Sequence, residues 1–373
     1  MIIETEKLKS ACKKILDAVD TSSGDIITSA LLELKATHNT LVLNVTNTEY
    51  FVSVKIPCLN EEDLHAVVNA KVFLNLIAKI TTPEIQLDLK DFVLAIKGNG
   101  QYKLPLVYNA DGNLETLSEI KIDEVTNNFK IPTKTLQSVL KFNIKEVQKR
   151  GITNEVQKMF YIDEKGALTF TQGACVNTFE LAEPVKFLLT EKIVKLFKLF
   201  SSETVDFTLG FSSSQNGIIT RKASFKTEDV EISTLISSDE KIINSFPVFN
   251  IRNLANKSYN YNIVVDRLLI LESINRLSVF DKATNVNQYL NFKFSNHKIT
   301  ISDANDDNKE TIVFNTDVDI NDFEYEAMLQ VNSLRVALES FTSQYVSICF
   351  GDSRSMTFIA DSIKYIVPEC VRQ

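Results

Sequence analysis

Lysine is the residue type in this chain whose spacing most clearly matches a chemistry. Lys134, Lys141, Lys145 and Lys149 follow one another at intervals of seven, four and four residues, which aligns them on one face of a helix, and Arg150 extends the row. Lys192, Lys195 and Lys198 form a second row, while Lys7, Lys9, Lys13, Lys14, Lys71 and Lys79 lie in two earlier helical stretches. An ammonium on a flexible stem is a point charge suited to a phosphate oxygen, and rows without interleaved aromatics neither stack on bases nor read their edges. The chemistry implied is sequence-independent phosphate contact, which permits sliding along a duplex. Lysine is also a good helix former that keeps an exposed face wet. That reading leaves unexplained why acids do not follow the lysines, as i to i+4 pairing would encourage. The whole chain carries a net charge of -8, so the pattern predicts a basic lining under an acidic exterior.

Other chemistries find little support. His38, His65 and His297 have no second ligand or nucleophile at a motif spacing, so exposed or capping positions are expected. Gly98-Asn99-Gly100 lacks the third glycine of a dinucleotide fingerprint and reads as a hairpin turn. Asp303, Asp306 and Asp307 lack the glycine and distal glutamate of an EF-hand loop, and predict a solvated hairpin loop. Cys12, Cys58, Cys175, Cys349 and Cys370 are odd in number, scattered and never spaced C-x-x-C, the usage of reduced thiols in a cytoplasmic protein. No metal, cofactor or catalytic constellation is expected. An enzyme would have to use dispersed carboxylates, and no spacing suggests such a pair. The start, Met1-Ile2-Ile3-Glu4-Thr5-Glu6, has no basic stretch leading into an apolar run, and no apolar segment approaches membrane-spanning length, so neither export nor a membrane is expected.

The elements that position these residues repeat. At 373 residues and 44% apolar, the chain has material for two or three domains. The order helix, alternating strands, helix, alternating strands recurs three times, with a period of about 125 residues. Helices are expected near 5–19, 71–80, 132–150, 191–200, 264–279 and 329–341, each from an apolar stripe such as Leu8, Cys12, Ile15 and Val19, or Val331, Leu334, Leu338 and Phe341. Segments such as Glu84-Ile85-Gln86-Leu87-Asp88-Leu89 and Tyr289-Leu290-Asn291-Phe292-Lys293-Phe294 alternate as half-buried strands do. The predicted class is α+β: three repeated domains, 1–127, 128–250 and 251–373, each with two helices packed on antiparallel sheets.

Lys71-Val72-Phe73-Leu74 leading into Glu84-Ile85-Gln86-Leu87, Met159-Phe160-Tyr161 with Thr171-Gln172-Gly173, Phe246-Pro247-Val248-Phe249 and Tyr365-Ile366-Val367-Pro368 occur in one order over essentially the whole chain. In that order, length and threefold repeat the chain resembles the bacterial beta sliding clamp, the DNA polymerase III beta subunit family. The resemblance implies a non-enzymatic processivity factor: a head-to-tail homodimer whose helices line a ring around double-stranded DNA. Lys9, Lys13, Lys79, Lys141, Lys145, Lys149, Arg150, Lys195 and Lys198 would then face DNA. It also implies a cleft that captures peptides of DNA polymerase and the clamp loader, at positions matching Val156, Thr171, Gly173, Cys175, Val176, Pro247, Ile251, Gln330, Ser333, Pro368 and Cys370. The ring contact would bring Tyr102 and Leu104 of one subunit to Arg276 and Leu277 of the other. Where the family has Thr-Asp-Gly-His-Arg-Leu this chain has Thr171-Gln172-Gly173-Ala174-Cys175-Val176. Such departures fit a divergent member with its own partners, of the kind a bacteriophage carries. The alternative is a clamp-fold binding or structural protein that does not encircle DNA.

Overall fold

The computed structural model describes residues 1–19, 30–148, 154–213, 217–237, 240–280, 288–295, 297–314, 324–351 and 354–370. Its first repeat runs β1 (Ile2–Glu4), α1 (Thr5–Leu16), β2 (Leu31–Thr37), β3 (Thr40–Thr46), β4 (Tyr50–Pro57), β5 (Leu64–Asn69), α2 (Ala70–Lys79), β6 (Glu84–Lys90), β7 (Val93–Lys97) and β8 (Gln101–Pro105). The second opens with β9 (Glu124–Pro132) and α3 (Thr133–Ser138), which continues through a π turn (Val139–Asn143) into α4 (Ile144–Val147). A 3-10 turn (Glu155–Lys158) then leads to β10 (Phe160–Asp163), β11 (Gly166–Phe170), β12 (Ala174–Thr178), β13 (Lys186–Leu189), α5 (Glu191–Leu196), β14 (Thr204–Ser213), β15 (Ile219–Lys226) and β16 (Val230–Leu235). Two helices absent from the sequence expectation follow, α6 (Glu240–Ser245) and α7 (Val248–Ala255). The third repeat runs β17 (Tyr261–Asp266), α8 (Arg267–Leu277), β18 (Tyr289–Ser295), β19 (Lys298–Ser302), β20 (Lys309–Val313), β21 (Glu324–Gln330), α9 (Val331–Ser340), β22 (Tyr345–Phe350), β23 (Ser355–Ala360) and β24 (Ile363–Cys370).

The order strand, helix, four strands, helix, three strands therefore occurs three times, and a single hydrogen bond marks the equivalence. The first residue of each leading helix gives its N–H to the loop before the strand that follows the second helix: Thr5 to the Pro83 carbonyl, Thr133 to Glu203 and Arg267 to Gln344, each at 2.9 Å. These N–H groups have no partner inside their helices, so the bond both satisfies the donor and fixes each helix start against its sheet. Residues 264–266 and 329–330, expected at helix starts, close β17 and β21 instead. Asp266 shows why: its carboxylate accepts from the N–H groups of Leu268 and Leu269, which sets the helix boundary one residue beyond it.

The chain divides into two compact units, Met1–Thr133 with Leu196–Ser238, and Lys134–Lys195 with Asp239–Gln373. In the first, an eight-stranded sheet has the order β5-β2-β3-β4-β16-β15-β14-β9, and a four-stranded sheet the order β1-β6-β7-β8. Strand β4 of the first repeat pairs antiparallel with β16 of the second, Val54 opposite Val230. In the second unit β13-β10-β11-β12 continues through β24, which also pairs β23 and, at Met328 opposite Cys370, β21. The equivalent junction is thus β12 of the second repeat against β24 of the third. The core of this second unit gathers Phe294, Phe350, Phe358, Leu334 and Tyr365, with the Phe294 and Phe350 rings stacked at 4.2 Å between centroids. Burying one such ring contributes about 1.5–3 kcal/mol. Among the described residues no helix is long and apolar enough to cross a membrane.

Candidate functional site

In the first repeat the lysine faces are part paired and part open. Lys7 pairs with Glu4 at 2.7 Å, Lys9 with Glu6 at 3.2 Å and Lys14 with Asp229 at 2.6 Å. Lys13 on α1 and Lys71 and Lys79 on α2 are exposed and have no ion pair among the described residues. Lys79 sits in the last turn of α2, where the helix dipole favours a cation.

In the second repeat the row is bent. The π turn at Val139–Asn143 inserts an extra residue into the helix, which rotates Lys134 by about 100° away from Lys141 and Lys145. Lys141 lies over the Phe142 ring at 4.8 Å and 3.5 Å from the Thr342 hydroxyl, and Lys145 donates to the Glu339 carbonyl at 3.2 Å, near the end of α9. Lys195 is tied to Glu191 at 2.6 Å, and Lys198 to Asp17 at 2.9 Å. Burial alone would raise the Glu191 carboxyl, but hydrogen bonds from Lys195 and Gln148 outweigh it and hold the group below its ordinary value. Acids therefore did follow several lysines, contrary to the sequence reading. Lys149 and Arg150 lie outside the described residues.

Buried polar bonds explain the π turn. The hydroxyl of the fully buried Tyr365 donates to the Phe142 carbonyl at 2.6 Å, a carbonyl that the wider turn frees. Asn143 donates to the Ala167 carbonyl at 3.3 Å, Asn177 to Ser138 at 2.9 Å, and Thr171 to Glu146 at 2.6 Å. The helix is thereby fixed to β11, β12 and β24, strands that also wall the apolar cleft.

That cleft holds a pocket of 380 Å³ lined by Phe170, Gln172, Gly173, Ala174, Pro247, Asn250, Ile251, Leu254, Arg354, Ser355, Ile366 and Pro368. Helix α7 supplies one wall. Pro247 starts it, Ile251 and Ala255 bury one face four residues apart, and Arg252 anchors it to Asp163 at 2.6 Å. Lys364 closes the other end by donating to the Ala255 carbonyl at 2.7 Å. Gly173 is required where β12 approaches β24, since a Cβ there would lie 2.3 Å from the Ile366 carbonyl oxygen.

Of the eleven cleft residues expected, Gly173, Pro247, Ile251 and Pro368 line this pocket together. Val156 and Val176 pack in the apolar cluster that includes Ile251, and Thr171 sits in the turn beside Gly173, its carbonyl accepting from Gln157 at 3.2 Å. Cys175 points the other way, fully buried in the core of the third repeat. Gln330 and Ser333 bond each other at 2.9 Å at the start of α9, and Cys370 lines a different pocket with Glu369 and Asp306. Sequence reading missed Phe170, Ala174, Leu254, Arg354 and Ile366. Leu254, three residues beyond Ile251, carries the one signal that helical spacing could have supplied.

Of the four expected ring-contact residues, Tyr102 and Leu104 lie on an edge strand and Arg276 and Leu277 close helix α8. Tyr102 and Leu104 belong to β8, which among the described residues pairs β7 alone, and β20 likewise pairs β19 alone. Leu104 and Leu277 are 5% and 2% exposed, buried in their own repeats. Arg276 is exposed and makes a bidentate pair with Glu310 of β20, at 2.8 and 2.7 Å. That hydrogen bond, against a smaller opposing effect of burial, keeps the Glu310 carboxyl below its ordinary value.

Among the described residues no three His, Cys, Asp or Glu side chains are placed to hold a metal ion. His38 and His297 occupy turns at φ 49° and 64°, and His65 bonds the buried Glu33 at 3.0 Å. Cys12 is buried, and burial pushes its thiol up to about 12.

No family model and no curated protein matches the chain. Solved structures do. The DNA polymerase III subunit beta sliding clamp of Pseudomonas aeruginosa bound to griselimycin matches with a TM-score of 0.80 and 14% identity, over 100% of this chain and 99% of that one. The DNA polymerase III beta subunit of Thermotoga maritima matches with a TM-score of 0.78 and 15% identity, over 100% and 99%. The Helicobacter pylori beta clamp bound to a DNA ligase peptide matches with a TM-score of 0.77 and 16% identity, over 100% and 99%. The chain has the sliding clamp fold over its full length.

Proposed function

We propose that this chain is a DNA sliding clamp, a non-enzymatic ring of two copies that encircles duplex DNA and holds a polymerase through the cleft of its second unit. The observation that carries the reading is the set of strand junctions. Two are made inside the chain, β4 to β16 and β12 to β24, each joining the fourth strand of one four-stranded sheet to the last strand of the next repeat. Of the strands equivalent to those that make these junctions, two remain open edges among the described residues: the last strand of the first repeat, β8, and the fourth strand of the third, β20. A second copy supplies the missing partner to each, head to tail, and closes a ring.

The size of the duplex favours two copies over one. Helices of ~10 Å diameter set side by side leave a hole of about 10 Å when six form the ring and about 30 Å when twelve do. A duplex whose grooves together are roughly 16 Å deep passes only through the larger. Domains 1–127, 128–250 and 251–373 of the two copies are then the six units of the ring. Lys13 and Lys79, with the longer row of the second repeat, supply phosphate contact that ignores sequence. Clamp loader and polymerase are the partners that this reading assigns to the cleft.

One observation favours a clamp-fold protein that does not encircle DNA: Lys9, Lys195 and Lys198 are occupied by carboxylates. Retention of purified protein on circular and linearised DNA at moderate salt, with mass determined in parallel, separates the two. A dimer that stays on circles and runs off free ends is the expected result; a monomer binding both weakly and equally overturns the ring.

A further inference from the structure

Resting on the reading of the cleft as a peptide site, we propose that its partner is an extended peptide carrying an aspartate or glutamate side chain next to the apolar residue that fills the pocket, and that Arg354 recognises that carboxylate. The pocket wall is almost entirely apolar, from Pro247, Ile251, Leu254 and Ile366, and among the described residues Arg354 is the one charged residue of its lining. Arg354 is exposed and has no ion pair or side-chain hydrogen bond among the described residues, although its carbonyl accepts from the Glu369 N–H at 2.8 Å. Its backbone is thus tied to β24, while its guanidinium has no partner among the described residues.

Charge complementarity sets the occupant. A second pocket of 370 Å³ shares Pro247 and Asn250 with the first and is lined by Tyr161, Phe246, Phe249 and Lys186. Among the described residues neither lining contains a carboxylate, in a chain whose net charge is -8. The two pockets adjoin at Pro247 and Asn250, so a peptide that fills both offers Arg354 the acid of a side chain rather than of a chain end. A guanidinium at the mouth of an apolar pocket meets a planar carboxylate with two parallel N–H donors, and the low dielectric of the wall strengthens that bond. A neutral amide of the same shape gains less, and a lysine there is repelled. Arg354 is a specificity residue: the apolar wall supplies affinity for any anchor, and the arginine selects the neighbour.

The test is a peptide array probed with the full-length protein, with leucine or phenylalanine as anchor and all residues sampled on either side, followed by fluorescence anisotropy on the strongest binder and its Asp, Asn and Lys variants. Wild type is expected to enrich acids beside the anchor and to bind the Asp peptide roughly tenfold tighter than the Asn peptide. Arg354→Glu is expected to reverse the order, favouring Lys. Arg354→Glu leaves the core untouched, and an unchanged melting temperature checks this. Equal binding of the three peptides by both proteins, with Leu254→Asp abolishing it, overturns the role of Arg354 and leaves the cleft standing. Binding of no peptide, or binding that Leu254→Asp does not change, overturns the cleft reading and the proposal together.

Discussion

The apolar cleft and the lysine faces distribute their work in opposite ways. The cleft concentrates it: a few side chains and one glycine shape a single 380 Å³ pocket, and a buried charge there has nowhere to go. The lysine faces spread it over several helices, with some cations open, such as Lys13 and Lys79, and others matched by acids, such as Lys9 and Lys195. An exposed ion pair contributes little to stability, about 0–1 kcal/mol, yet it neutralises the charge that a phosphate would meet. One substitution should therefore break the cleft, whereas the lysine faces should yield only in increments.

The largest effect expected is that of Ile251→Asp and Leu254→Asp on peptide capture. Leu254 is 40% exposed, so its variant keeps the fold while placing a carboxylate in the apolar wall. Affinity for a bound peptide, and any stimulation of a polymerase, should fall by about 100-fold, while retention on circular DNA stays at the wild-type level. Parallel loss of both activities would erase the contrast between the two surfaces. Next in size is reversal of Lys145, Lys149, Lys195 and Lys198 to glutamate. Retention should fall at least tenfold at moderate salt and lose much of its salt dependence, with peptide affinity unchanged. Retention equal to wild type would remove these residues from the lining.

How far the sequence revealed each surface follows the same contrast. Helical stripes and strand alternation located six helices and the threefold order because those patterns are local, and periodicity follows burial of one face. The π turn left no such mark. It exists because Tyr365 and Asn143 find partners far away in sequence, at Phe142 and Ala167. Spacing therefore placed Lys134 on a row from which the turn removes it. Cys175 fell on a position matched to the cleft, but in a strand neighbouring side chains face opposite ways, and it is Ala174 that reaches the pocket. Helix α7 was hidden by Pro247, which reads as a breaker but starts the helix. Ion pairs such as Lys198 with Asp17 join residues far apart in sequence, which no window of charge could show.

A graded pair of single substitutions sharpens the lysine side of the comparison. Lys13→Ala or Lys79→Ala should lower the slope of log affinity against log salt by about 0.9, the value for one phosphate contact. Lys9→Ala should leave the slope nearly unchanged, since Glu6 already neutralises that ammonium. Equal effects of all three would mean that DNA displaces the acid and that the pairs are a resting state.

The smallest effect, and the one that bears most directly on that resting state, is Glu191→Gln. The Glu191 carboxyl is held below its ordinary value, so its pair with Lys195 is complete above the unfolded carboxylate value of about 4.3 and is lost as pH falls through the lower folded value. At pH 7 the glutamine releases Lys195 and should steepen the salt slope of DNA retention by up to about 0.9, while stability falls by no more than about 1 kcal/mol. The stability difference from wild type, read from denaturant midpoints, should shrink as pH falls from the unfolded value through the lower folded one, because the wild-type carboxyl then takes up its proton as well. A slope that does not move when Lys195 is freed would place that lysine off the path of a bound duplex, and leave Lys13, Lys71 and Lys79 of the first repeat, with Lys141 and Lys145 of the second, as the cations to test next for phosphate contact.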